Sequence, residues 1–88
     1  MTRQEFLTLQ LAALDALERK VLAFGVYTDY ANNHCAIGAF LSSQKGVPPM
    51  GVRSEIIAIN DLDRTESPAA RFVRVRKWVA AQLGGESL

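Results

Sequence analysis

Apolar residues recur along the first two dozen positions with a helical period. Phe6, Ala13, Leu14, Leu17, Val21 and Phe24 are spaced by threes, fours and sevens, so at 3.6 residues per turn they line one face. Thr2 and Glu5 precede them in the Thr-x-x-Glu arrangement of a capping box, in which the hydroxyl accepts from an early helical amide and the glutamate reaches back. The pattern predicts a helix from Thr2 to Phe24, about six turns long, ended by Gly25, which can adopt the left-handed conformation of a helix terminus. Val26-Tyr27-Thr28-Asp29-Tyr30 is too β-branched and polar to continue it and reads as a loop or a short extended piece.

The Asn32-Asn33 pair offers caps for a second helix from His34 to about Gln44. Cys35, Ile37 and Ala39 to Leu41 are its compact apolar residues, Gly38 permits close approach, and Gly46 ends it. Val47-Pro48-Pro49-Met50-Gly51 reads as the main connector, since two prolines remove two amide donors. Ser54 to Ile59 suits a short helix capped by Ser54, or a buried strand on propensity alone; with no partner strand in view, helix is the reading preferred. Asn60-Asp61-Leu62-Asp63 is a polar turn. Ser67-Pro68 then opens a last helix to about Leu83, with Phe72, Val75, Val79 and Leu83 on its buried face and Gly84-Gly85 before a polar tail expected to be disordered from about residue 85. The expectation is an all-α fold: a single helical domain over residues 1–88, a compact bundle of about four helices whose long first and last members pack together, with a short extended piece near 26–30.

Composition supports a folded chain, because 49% hydrophobic and 22% charged residues exceed what a disordered segment offers in apolar material. Phe6, Leu7, Phe24, Phe40, Phe72 and Trp78 are a large apolar load for 88 residues, which points to self-association, with a homodimer as the expected form. Cys35 is the only cysteine, so no internal disulfide can form. The N-terminal apolar positions are interrupted by Thr8, Gln10 and Asp15, unlike a signal peptide or membrane span. The expected compartment is cytoplasmic, without membrane attachment.

A net charge of +1 gives no global steering toward polyanions, but the charge is uneven. Residues 67–88 hold four basic residues against one acidic, whereas residues 1–66 hold six basic against eight acidic. The cations of the last helix cluster. Arg71, Arg74 and Trp78 follow spacings of three and four with Lys77 beside them, opposite the Phe72-Val75-Val79 face. This stripe is the expected partner-binding surface, with Trp78 as its aromatic anchor; the alternative is that Trp78 packs within the fold or a dimer. A protein partner ranks above nucleic acid, since three or four cations without wider positive charge hold phosphate weakly.

Catalytic and metal chemistry find less support. Cys35 and His34 are adjacent, and adjacent helical residues point about 100° apart, so they cannot serve as nucleophile and base. One histidine and one cysteine cannot make a four-ligand structural zinc site. Asp61-x-Asp63-x-Thr65 begins like a calcium loop but has Glu66 where glycine is needed and Phe72 where a bidentate glutamate is needed. Asn60, Asp61 and Asp63 remain a candidate turn for an ion, a ligand or a partner's arginine, against a structural role capping neighbouring helices. The chain is read as a non-enzyme without cofactor or metal, a small enzyme using Cys35 or the Asp61/Asp63 pair being the competing class.

Three stretches, Cys35-Ala36-Ile37-Gly38-Ala39, Ile59-Asn60-Asp61 and Arg64-Thr65, together resemble a family of small uncharacterised helical proteins of bacteria and phages. In that family a Cys-x-x-Gly-Ala segment follows a loop, and an aromatic-Asn-Asp turn with a downstream Arg-Thr opens the final helix. Ile59 stands where the family has an aromatic, and the central linker is shorter. The resemblance spans roughly residues 25 to 83 and implies a compact helical fold and a setting as mobile-element or accessory cargo. It implies no activity. The function expected is therefore that of an interaction module, binding a protein partner or itself through an exposed helix face.

Overall fold

A computed structural model describes residues 1–84, so the tail from residue 85 lies outside the described residues. Four helices follow in order: α1 (Arg3–Asp15), α2 (Ala36–Ser43), α3 (Met50–Asn60) and α4 (Pro68–Gln82). Among the described residues there is no strand, and the fold is the expected all-α bundle of four helices. The extended piece expected near 26–30 is reduced to a single antiparallel bridge between Thr28 and His34.

α1 starts as its capping box dictates. Thr2 Oγ1 accepts from the Glu5 amide at 3.1 Å, and Glu5 accepts from the Thr2 amide at 2.8 Å. These bonds favour the carboxylate and hold Glu5 below its ordinary pKa. The helix then stops at Asp15, nine residues short of the Phe24 expected. Lys20 folds back onto the carbonyls of Asp15 and Leu17, both at 2.6 Å, covering acceptors that a helix end leaves open. The chain beyond crosses the bundle in irregular form because its backbone finds partners distant in sequence. The Leu22 amide donates to the Pro68 carbonyl at 3.0 Å and the Ala23 amide to the His34 carbonyl at 2.9 Å. Leu22 and Ala23 are consequently buried, while Phe24, the last member of the helical pattern, is 38% exposed.

α2 begins two residues later than expected, and neither Asn32 nor Asn33 caps it. The cap is Cys35, whose sulfur accepts from the Gly38 amide at 3.3 Å. Asn32 instead takes a left-handed conformation, φ 63°, within the preceding turn. Gly38 is required by packing: a Cβ there would collide with the Tyr27 carbonyl oxygen. α3 starts at Met50 rather than Ser54, so the second half of the expected connector is helical; Pro49 is its N-cap, where the missing amide costs nothing. α4 opens as expected, with Ser67 Oγ accepting from the Ala70 amide at 3.1 Å and proline at the first helical position.

The helices close around one apolar cluster. α1 packs against α2 and α4, and α3 against the same two. Phe6 and Phe40 meet at its centre, ring centroids 5.0 Å apart and tilted by 52°, an arrangement favourable for aromatic pairs. Leu7, Leu14, Leu22, Ile37, Ile56, Val75 and Val79 are fully buried around them. Arg3, at the start of α1, spans to Glu55 of α3 and Gln82 of α4, each at 3.0 Å. Among the described residues no helix is long and apolar enough to cross a membrane.

Candidate functional site

Of the stripe expected on α4, Arg71 is buried, Arg74 and Trp78 are half-buried, and Lys77 is exposed. Arg71 lies four residues before Val75 and eight before Val79, on the row that faces the core, and it is 2% exposed. Its guanidinium donates to the carbonyls of Leu22 at 2.9 Å, Glu66 at 2.9 Å and Asp63 at 3.2 Å, with the Phe24 ring centroid 5.5 Å away. Arg74 is half-buried and grips Glu66 with two nitrogens at 2.9 to 3.1 Å while also donating to the Ile59 carbonyl at 2.7 Å. Trp78 packs partly buried against the core cluster. Lys77 is exposed and, alone of the four cations on α4, makes no side-chain bond among the described residues. The fourth, Arg76, holds Asp15 at 2.6 and 3.0 Å; the bond keeps the Asp15 carboxyl below its usual range and raises Arg76. These arginines bind the protein's own backbone and carboxylates, although only Arg71 is buried; Arg74 and Arg76 keep 29% and 42% of their side chains exposed.

The Asn60-Asp61-Asp63 turn is likewise engaged in holding the fold. Asn60 is 1% exposed; its Oδ1 accepts from the Ala36 amide at 3.0 Å, and its Nδ2 donates to the Ala23 carbonyl at 2.9 Å. It thereby joins the end of α3 to the start of α2 and to the crossing segment. Asp61 Oδ1 accepts from Asn60 Nδ2 at 2.8 Å and from the Gly25 amide at 2.9 Å. Asp63 accepts from the amide and the hydroxyl of Thr65, at 2.9 and 2.6 Å, and these bonds lower its pKa. Among the described residues no three His, Cys, Asp or Glu side chains converge as a metal centre would need.

Cys35 and His34 bond to different partners. His34 Nδ1 bonds to Thr28 Oγ1 at 2.8 Å, across the bridge, while the Cys35 sulfur turns inward to cap α2. Burial pushes the Cys35 thiol up from its ordinary pKa, so it is a neutral, protonated group at pH 7. Cys35, Gly38, Asn60 and Asp61 thus share one task. They knit α2, the end of α3 and the 23–27 loop together.

The loop between the crossing segment and α2 is open to solvent, as are Val47, Met50, Leu62 and Val73 elsewhere on the surface. From Tyr27 to Cys35 the chain doubles back as a hairpin fixed by its own bonds. The Cys35 amide donates to the Tyr27 carbonyl at 3.1 Å, the Asp29 amide to the Asn33 carbonyl at 2.9 Å, and the Asn32 amide to the Asp29 carbonyl at 3.0 Å. Asp29 Oδ1 accepts from the amides of Ala31 and Asn33, both at 2.9 Å, as aspartate does in tight turns. Tyr30 stands at the tip with its whole side chain in solvent, at 109% of the reference exposure. Val26 and Tyr27, about half exposed, stand at the base, where Arg53 donates to the Tyr27 hydroxyl.

Two recesses flank this hairpin. One, of about 420 Å³, lies between the end of α1, the hairpin and α2, and Leu17, Val21, Ala31 and His34 contribute to its walls. The other, also of about 420 Å³, is bounded by Val26, Tyr27, Cys35, Ile57 and Asp61. The sequence reading, a loop or short extended piece at 26–30 followed by caps at Asn32 and Asn33, gives this hairpin no functional role. Its signals were present: two tyrosines three residues apart around an aspartate, followed by a paired asparagine turn. Comparison with protein-family models, with curated proteins and with solved structures found no match to this chain.

Proposed function

We propose that this chain is a small interaction module that docks a protein partner through the Tyr27–Cys35 hairpin. The observation that carries this reading is Tyr30, a large aromatic side chain left wholly in water on a turn that is already ordered. Tyrosine is enriched among the residues that dominate interface energetics, because it offers wide apolar contact and a hydroxyl at low conformational cost. A turn whose backbone is fixed before contact loses little further entropy on binding. The inward-facing, protonated Cys35 counts against the competing enzymatic reading, since a nucleophilic cysteine must be accessible and partly thiolate. The pairing of Arg74 with Glu66 and of Arg76 with Asp15 counts against a phosphate-backbone partner, since it leaves Lys77 as the one exposed cation of α4 without a carboxylate among the described residues.

The test places a photoreactive phenylalanine at position 30, with the same group at exposed Val73 on α4 as control. Irradiation in cells expressing the protein should give a discrete adduct from position 30 and none from position 73. Equal labelling from both positions, or no adduct from position 30, overturns the reading.

A further inference from the structure

We infer that the partner received at this hairpin is a second copy of the chain, with each Tyr30 seated in the other chain's recess beside α1, about a twofold axis. The inference rests on the reading of the hairpin as a docking surface. A closed pair of identical chains needs a self-complementary patch, in which a projection and the cavity that receives it lie on one face. Here both belong to one turn: Tyr30 projects from it, and the next residue, Ala31, with His34, helps to wall a recess of about 420 Å³ whose opposite side includes Leu17 and Val21. Glu18 and Arg19 also line this recess, both exposed and without side-chain partners among the described residues. In the proposed pairing Glu18 of each chain would face Arg19 of its partner, so that opposite charges would meet twice. With a net charge of +1 the copies repel one another little. The contact is one turn and one recess, small for an interface, so the dimer should form and dissociate with concentration.

Sedimentation equilibrium over roughly 1 µM to 1 mM tests this. The wild type should pass from monomer to dimer, and Tyr30→Ala should weaken the association at least about tenfold with unchanged far-UV circular dichroism. Glu18→Arg and Arg19→Glu should each be monomeric alone, because each sets like charges together. Mixed in equal amounts they should form a heterodimer, since the mixture restores two opposite-charge pairs. A wild type that stays monomeric overturns the inference, as does a dimer indifferent to Tyr30→Ala or a pair of charge variants that fails to recombine. The cross-link from position 30 separates this failure from that of the underlying reading. An adduct at twice the chain mass supports self-docking. An adduct at another mass overturns self-docking but leaves the hairpin a docking surface, and no adduct overturns both.

Discussion

Arg71 to Trp78 and Phe24 to His34 are both mixtures of aromatic and charged side chains, yet they meet water in opposite ways. In α4 the guanidiniums turn back onto carbonyls and carboxylates of the same chain, and Trp78 leans on the core. In the hairpin the polar groups also bond internally, but they do so around a backbone turn, and the aromatic ring is pushed outward. The difference is one of reach. Arginine's long stem and five donors let it satisfy distant carbonyls from a helix face, whereas aspartate in a tight turn can satisfy only the amides beside it. Aromatic and charged residues in mixture therefore do not mark a surface; where the polar partners sit decides it.

The sharpest way to break this contrast is Arg71→Ala. It should lower unfolding free energy by about 3 to 5 kcal/mol, as removal of one partner from a buried charged cluster does, leaving the Leu22 and Glu66 carbonyls unpaired. Urea denaturation reads this directly, and a loss below about 1 kcal/mol would return Arg71 to the surface. Asn60→Ala should cost about 2 to 3 kcal/mol through the stranded Ala36 amide and Ala23 carbonyl. Cys35→Ala, which removes the α2 cap, should cost about 1 kcal/mol, and Cys35→Ser less, because a hydroxyl also caps.

A smaller effect should appear in acid. Asp15 has its pKa depressed by Arg76, so the folded state holds the carboxylate more firmly than the unfolded chain does. The pair's contribution is present above the unfolded value and is lost as pH falls through the folded one. Asp15→Asn should therefore narrow the gap to wild type in thermal midpoint as pH drops below about 4; a gap constant with pH would remove the pair from the ledger of acid sensitivity. Least of all should be Tyr30→Ala, within about 0.5 kcal/mol of wild type in urea, since no fold contact is lost.

How much of this was legible depends on whether the determinant was local. The Thr2–Glu5 box and the Ser67-Pro68 start are contained within a few residues, and both hold as read. The early end of α1 is not contained so: Leu17, Val21 and Phe24 keep a helical period, but Leu22 and Ala23 leave it for backbone partners at Pro68 and His34 that no window around residue 20 can include. Arg71 was locally decidable, since its spacing of four and eight to Val75 and Val79 puts it on the buried row; charge outweighed spacing in the reading. Cys35 as a cap was obscured by sulfur being a weaker acceptor than the amide oxygens of Asn32 and Asn33 nearby.

The crossing segment also bears on the order in which the chain can be completed. Leu22 and Ala23 take their backbone partners from Pro68, Arg71, His34 and Asn60, so three of those four residues emerge from a ribosome long after α1 and α2 are made. A nascent chain ending near Gln44 would hold Phe6, Phe40 and the Ala23–His34 bond, but not the partners of the Leu22 amide, the Leu22 carbonyl and the Ala23 carbonyl. Assembly should therefore wait for the start of α4, and the Leu22 amide should exchange with solvent only when the whole molecule opens. Protection at Leu22 well below that of Val75 in hydrogen exchange would mean that the crossing segment opens on its own.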